Sequence, residues 1–339
     1  MSNLFFEIYS EEIPSQLQHY GSHEIYNMIC KKLEQSLKKK FSGTYFFTSK
    51  RIGFYINNIP KTFIDTTLAI RGPKINATQK SLVGFLKKYR LKSLSDLTHK
   101  GEYYFYIQKS PSQSSEEIIK SIIEQVMITF SWPQSMKWGK YDIKWIRPIY
   151  SILCLFDNKV IKVSYGHIIA NNKTYYRDKI YNISSFEEYK NILEKSHIYI
   201  FQKHRVDFIK NQIQNICHAH NIKMIEDISV LKEVANLVES PYVAIGRIQK
   251  CYMYLPREIL VATLRFHQKY LPTEYYNGCL APYFIMISNV MTDDNLKTVI
   301  NGNEKVLRSR LADIQYFYSQ DLKTSLISNC KNVIVGADF

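Results

Sequence analysis

The chain has 339 residues and a formal net charge of +15, with 45 basic and 30 acidic side chains. Its hydrophobic content of 45% excludes an intrinsically disordered chain, and its 12 Gly, 10 Pro and 6 Cys exclude collagen-like and disulfide-scaffold classes. At about 100–200 residues per domain, this length predicts two or three domains.

The first third of the chain has an α+β pattern. Residues 4–9 are an apolar run typical of a buried strand, and further strands are predicted at 44–48 and 52–59. Between the first strand and the second lies an apolar stripe at helical spacing, formed by Ile25, Ile29, Leu33 and Leu37. The order is therefore β–α–β–β.

Residues 65–131 form a candidate inserted subdomain. It contains a predicted basic helix at 81–89 and a strand at 103–108. Ser114 and Glu117 have capping-box spacing and start a second helix. Its predicted apolar face consists of Ile118, Ile119, Ile122, Ile123 and Val126.

After this region, residues 132–139 have no regular pattern, and 149–156 with 160–169 read as a β-hairpin. Further on, Ser185 with Glu188 can cap a helix. Additional helices are predicted at 203–220, 228–238, 256–265 and 303–322, with a strand at 283–288. The sequence thus predicts a multidomain α+β fold with mixed or antiparallel sheets packed against helices, divided into an N-terminal α+β domain (1–182) and a helix-rich α+β domain (183–339).

Charge and cysteine usage constrain the partners. Lysine supplies 34 of the 45 basic residues, and the wider composition is typical of an AT-rich genome. On charge alone, a nucleic-acid partner and a solvated basic surface are therefore equally supported. The six cysteines form no CxxC pair, and no apolar run approaches the ~18 residues of a membrane span. These features, with no signal-peptide pattern at the N-terminus, predict a cytoplasmic protein without a membrane partner.

The familiar catalytic signatures are missing, including phosphate-binding loops, GxGxxG, HExxH and GxSxG. The segment Cys217-His218-Ala219-His220 has no second ligand cluster, so a solvated helix end is favoured over a metal site. Glu11 and Glu12 could serve acid–base chemistry, but carboxylates that favour a helix N-terminus are the better interpretation. We therefore predict no catalytic residue and no metal site.

The segment LPREILVATLRFHQKYLP, residues 255–272, is the strongest binding candidate. If its second half is extended, Arg265, His267 and Lys269 lie on one face and could contact phosphates. An amphipathic edge strand with a solvated side explains the pattern equally well.

The last predicted helix carries both a charged face and a buried stripe. Glu304 with Arg308, and Arg310 with Asp313, have ion-pair spacing on a helix. The buried stripe comprises Leu307, Leu311, Ile314 and Tyr318. Spacing alone favours a structural helix over a binding helix.

Taken together, these segments resemble the beta subunit of bacterial-type glycyl-tRNA synthetase. The resemblance rests on LFFEI (4–8), EEIP (11–14), TSKRI (48–52), WPQSMKWG (132–139), residues 231–241, residues 255–272 and GNEKVLRSRLAD (302–313). They occur in family order over nearly the whole chain. The sequence departs from the family pattern at Gln134 and within residues 202–205. It also departs at Tyr175 and Tyr176, which replace a Gly-His pair that is usual in the family.

The resemblance implies a heterotetramer of two alpha and two beta subunits. The alpha subunit would use ATP and Mg²⁺ to activate glycine, while the beta subunit would bind and position tRNA(Gly) without a cofactor of its own. It implies RNA- or subunit-binding roles for Arg265, His267, Lys269, Arg308 and Arg310. The family's beta chain is about twice as long, so this chain corresponds to its N-terminal half, with a second domain resembling an editing-type domain and ending near an HD-type region.

Three functional hypotheses follow from the sequence. The first is a subunit of glycine–tRNA ligase with no complete active site of its own. The second is a truncated, non-enzymatic RNA-binding or assembly module. The third and weakest is an editing-like hydrolase, which no nucleophile–base pair supports.

Overall fold

A computed structural model of the chain describes residues 2–63, 68–91, 93–108, 113–141, 143–177, 179–289 and 293–323. Within these ranges the strands pair antiparallel and pack against helices, which confirms the predicted α+β class. No helix in the same ranges combines the length and apolar character that crossing a bilayer requires.

The helices are α1 (Ser15–Leu37), α2 (Gln79–Lys88), α3 (Ser115–Thr129), α4 (Phe186–Lys195), α5 (Gln202–Ala219), α6 (Ile228–Leu237), α7 (Arg257–Ala262) and α8 (Asp293–Asp321). The strands are β1 (Ser2–Ser10), β2 (Gly43–Phe47), β3 (Arg51–Ile59), β4 (Thr62–Phe63), β5 (Leu68–Lys74), β6 (Thr98–Lys100), β7 (Tyr103–Gln108), β8 (Gln113–Ser114), β9 (Met136–Lys137), β10 (Lys144–Trp145), β11 (Ile149–Phe156), β12 (Lys159–Val160), β13 (Ser164–Tyr165), β14 (Ile168–Ile169), β15 (Lys173–Tyr176), β16 (Lys179–Asn182), β17 (Lys223–Met224), β18 (Tyr242–Arg247), β19 (Leu271–Glu274) and β20 (Leu280–Ser288).

The first sheet has the strand order β12-β11-β1-β3-β2 and is covered on both faces. Alternate residues of β1 face opposite sides, as the two-residue period of a strand requires. Leu4, Phe6 and Ile8 join the core formed with α1 and α3, whereas Phe5 packs with Phe186 of α4. The predicted β–α–β–β block and the buried stripe of α1 are thus confirmed.

The predicted hairpin of residues 149–169 is only partly correct. β11 turns at Asp157 and Asn158, both at positive φ, and pairs with β12 for two residues. The remaining residues form a separate small hairpin of β13 and β14. Ser114 caps α3, and Ile119, Ile122, Ile123 and Val126 are buried as predicted, while Ile118 is partly buried.

The second sheet has the order β17-β19-β20-β18, with α5 and α6 on one face and α7 and α8 on the other. The helices predicted at 203–220, 228–238, 256–265 and 303–322 are confirmed as α5, α6, α7 and α8. The last of them begins ten residues before residue 303. β18 and β19 are absent from the predicted elements. The domain boundary at residue 182 remains a prediction, and Cys330 lies outside the described residues.

A buried polar network joins the two sheets. Arg51 of β3 is completely buried, and its guanidinium lies 3.0 Å from carboxylate oxygens of both Glu7 and Glu239. Glu239 follows α6, so this contact links the first sheet to the second region. Thr48 and Tyr189 donate further hydrogen bonds to the two carboxylates. Burial disfavours the charged guanidinium, but Glu239 and Glu7 outweigh it and raise the pKa of Arg51.

A second buried arginine lies beside this network. Arg205 of α5 donates to the carbonyl oxygens of Ala235, Phe47 and Tyr199 and to the side chain of Asn236. Because its partners are mostly neutral, burial dominates and lowers its pKa to about 10. The sequence patterns indicated neither buried arginine.

The close packing of α1 against residue Trp132 predicts an unusual effect at Gly21. A Cβ atom there would lie 2.0 Å from Cη2 of the buried Trp132. We expect Gly21→Ala to lower the free energy of unfolding by about 1–3 kcal/mol, although Ala in an open helix would raise it by up to about 1 kcal/mol. Gly84→Ala in α2 is the matched control, because no described atom beyond its neighbours lies within 4 Å of the new Cβ. Urea denaturation of both variants checks the prediction, and stabilisation of both would contradict it.

Candidate nucleic-acid interface

A groove of about 570 Å³ runs between α8, the end of β18 and the short helical turn Lys250–Tyr252. We call it the α8 groove. Its buried lining includes Ile248, Leu307 and Leu311. The two leucines are four residues apart and pack into the core with Leu260 and Leu264, which fixes the face of α8 that the groove borders.

The polar lining of the α8 groove is strongly basic. Among the described residues, its charged side chains are Arg247, Lys250, Lys305 and Arg308, with Glu304 as the one carboxylate. Within the described ranges, none of these four cations forms an ion pair or donates a side-chain hydrogen bond. Four cations around one cleft that contains one carboxylate produce the positive potential that attracts phosphate groups.

Glu304 is held in place by the backbone of β18. Its Oε1 accepts the N–H of Arg247 at 2.7 Å. The ion-pair spacing of Glu304 with Arg308 and of Arg310 with Asp313 does not produce a salt bridge between either pair in the described chain. Glu304 turns to the backbone amide instead, because a charge-assisted bond to a fixed donor holds its side chain more firmly than an exposed pair would.

The structure separates the residues predicted to face RNA or the partner subunit. The extended interpretation of residues 265–269 is wrong, because α7 continues into a π-helical turn, Thr263–His267. Arg265 lies 3.4 Å from Asp227 Oδ2 and Lys269 lies 3.0 Å from Glu233. Of the three, only His267 is exposed and has no ion-pair partner among the described residues.

The contact with Arg265 belongs to a firmly held N-terminus of α6. The hydroxyl of Ser229 donates to Asp227, and this bond, with backbone amides and Arg265, lowers the pKa of the Asp227 carboxyl. The carboxylate of Asp227 caps α6 through the amides of Ser229 and Val230. Arg265 and Lys269 are therefore engaged in stabilising α6 in this structure.

The two arginines of α8 are exposed, but only Arg308 lines the α8 groove. The sequence reasoning missed Arg247, Lys250 and Lys305. Lys305 lies in the same family-like segment as Arg308, but Arg247 and Lys250 have no local signal because α8 reaches them only through tertiary contact.

Other candidate chemistry finds no support from geometry. Cys217 is buried on α5 with His218 and His220 exposed beside it, and the described ranges hold no group of three potential metal ligands. Glu11 and Glu12 precede α1, whose first turn contains no acidic residue. The interpretation as helix-dipole carboxylates is thus wrong, because both residues lie before the first turn of α1. Glu11 instead accepts a hydrogen bond from Tyr150, and Glu12 lies 4.0 Å from Lys50.

The fold and the groove together define an α+β protein with an electropositive cleft. A family model described as glycyl-tRNA synthetase beta subunit matches residues 4–334. The chain therefore belongs to the glycyl-tRNA synthetase beta subunit family.

Individual relatives agree with this family. A protein named "Glycine--tRNA ligase beta subunit" from Rickettsia canadensis (strain McKiel) is 36% identical over 342 residues, covering 98% of this chain and 51% of that protein. A protein of the same name from Rickettsia felis is also 36% identical, over 97% of this chain and 50% of its own length. One from Rickettsia bellii is 35% identical over 98% and 51%. The chain thus spans about half the length of the curated relatives that it matches.

Proposed function

We propose that this chain is the RNA-binding part of a glycine–tRNA ligase beta subunit, and that it binds tRNA(Gly) through the α8 groove. In the complex, two alpha subunits would carry out ATP- and Mg²⁺-dependent glycylation in the cytoplasm while two beta subunits position the tRNA. Family membership supports the role, and the observation that carries the RNA contact is the set of four cations around the groove, none of which has an ion-pair partner among the described residues.

The physical basis is exchange of counterions for protein cations along the phosphate backbone. Each phosphate neutralised by a side chain changes the slope of log K against log salt by about −0.7 to −0.9. At physiological salt, one such contact therefore strengthens binding by roughly four- to sixfold. The groove cations together can hold an RNA strand firmly without reading its sequence.

Reversing two groove charges tests the proposal. We expect Lys305→Glu with Arg308→Glu to weaken tRNA(Gly) binding by about 10- to 50-fold and to make its salt slope shallower by about two phosphate contacts. Fluorescence anisotropy at several salt concentrations gives both quantities. The control is Lys31→Glu with Lys39→Glu at exposed sites of the α1 region, which changes the net charge equally. An equal loss in both double variants would mean that net charge alone drives binding, and no loss in the first would refute the groove.

The division of labour between the subunits has its own readout. The chain alone is expected to show no glycine-dependent ATP–pyrophosphate exchange, and to co-purify with a glycyl synthetase alpha subunit. Binding of tRNA without any binding of the alpha subunit would instead favour a separate RNA-binding module.

A further inference from the structure

We propose that the α8 groove receives one unpaired guanine nucleotide of the bound RNA and that Glu304 reads its base. This inference rests on the proposed function, since it names the part of the RNA that the same groove recognises. It adds a specificity-determining residue to a surface otherwise suited only to phosphates.

The size and lining of the groove favour a single nucleotide. Its volume of about 570 Å³ falls within the roughly 300–1,000 Å³ of pockets that hold single small ligands. The half-buried Pro282 and Tyr283 of the lining offer apolar surface for the face of a base, and the cations of the groove can hold its phosphates. Proteins read RNA sequence mainly at unpaired nucleotides, whose base edges are accessible.

Glu304 is the feature that phosphate binding does not explain. A carboxylate among four cations weakens the attraction for phosphate, yet no side-chain cation in the described chain neutralises it. Its Oε1 is anchored by the N–H of Arg247 at 2.7 Å, and its Oε2 has no hydrogen-bond partner within the described ranges. An anchored carboxylate with free lone pairs is a ready acceptor for N–H donors of a ligand.

Guanine is the base whose edge fits this acceptor. Its N1–H and exocyclic N2–H are adjacent and point the same way, so both can donate to one carboxylate. Adenine and cytosine offer only an amino group beside a ring acceptor, and the imino group of uracil lies between two carbonyl oxygens that a carboxylate repels. Glu304 would therefore favour guanine over the other three bases.

Inosine provides the sharpest probe, because it differs from guanosine only by the missing N2 amino group. The experiment uses single-stranded uridine-rich RNA heptamers with one central guanosine or inosine, bound to the full chain and followed by anisotropy. We expect about tenfold preference for the guanosine heptamer. Glu304→Gln, which keeps an oxygen for the Arg247 amide, should reduce this preference to within about twofold, while Glu258→Gln, an equal charge change on α7, should preserve it.

The outcomes separate this inference from the proposed function. If Lys305→Glu with Arg308→Glu weakens tRNA binding but the wild-type chain binds both heptamers equally, base reading is refuted, while tRNA binding through the α8 groove is supported. If Glu304→Gln weakens every RNA equally, Glu304 only supports the groove, and base reading is again refuted. If the double reversal leaves tRNA affinity unchanged, the proposed groove itself fails, whatever the heptamers show.

Discussion

Replacing Arg51 with methionine is expected to lower the free energy of unfolding by about 3–5 kcal/mol. The substitution leaves the carboxylates of Glu7 and Glu239 buried beside each other without a cation. Removing one partner of a buried ion pair costs far more than the pair contributes, because desolvated charge of one sign remains. Thr174 and Tyr175 also lose the hydrogen bonds that Arg51 donates to them.

Urea denaturation of the full chain measures this loss, and two companion variants test its cause. Lys50→Met removes a neighbouring, partly exposed cation that lies 4.0 Å from Glu12, and should cost less than about 1 kcal/mol. Adding Glu7→Gln and Glu239→Gln to Arg51→Met should restore part of the stability, because the buried negative charges disappear. A combined variant as unstable as the sum of its parts would contradict the explanation.

Trp145→Ala is expected to lower the free energy of unfolding by about 3–5 kcal/mol. Trp145 in β10 is the largest fully buried side chain. Its ring packs against those of Phe130, Trp132 and Tyr165 at centroid distances of 5.4–5.9 Å. Alanine would leave a cavity at a point where β10, α3 and the first sheet share one core.

Two further tryptophan variants make this expectation specific. Trp138→Ala, in the same segment but only partly buried, should cost clearly less, because solvent already reaches its ring. Trp145→Phe should cost under about 1.5 kcal/mol, since it keeps most of the apolar volume and removes an indole N–H that finds no partner in the described chain. Equal losses for Trp138→Ala and Trp145→Ala, read from denaturation midpoints, would contradict the role of burial.

The sequence predicted the elements whose signals are local. The stripe of α1 and the apolar run of β1 need no knowledge of distant residues, so periodicity identified both. β18 was missed because Gly246 looks like an interruption, whereas the structure uses it to admit the ring of Phe284 from β20, which would lie 2.3 Å from a Cβ there. β19 was missed because it contains Pro272, which rarely occurs inside strands.

The candidate site was predictable only in part, for a similar reason. Arg308 was predicted as a binding residue because it lies in the family-like segment 302–313. The other groove cations come from β18, the turn after it and a neighbouring position on α8. Conversely, Arg265 and Lys269 looked available because their partners, Asp227 and Glu233, lie far away in sequence. Spacing shows which basic residues could share a surface, but not which ones already have a carboxylate.

The central position of β1 has a consequence for synthesis on the ribosome. One edge of β1 pairs with β3, which emerges soon afterwards, but the other pairs with β11, where Leu4 meets Phe156. At roughly 5–20 residues per second, that edge stays open in the nascent chain for on the order of ten seconds. Glu239, the second carboxylate partner of Arg51, is synthesised later still. The growing N-terminal segment therefore presents an unpaired strand edge, and Arg51 has only one of its two carboxylate partners, Glu7, during this time. Chaperones that bind chains during translation are expected to bind such a segment.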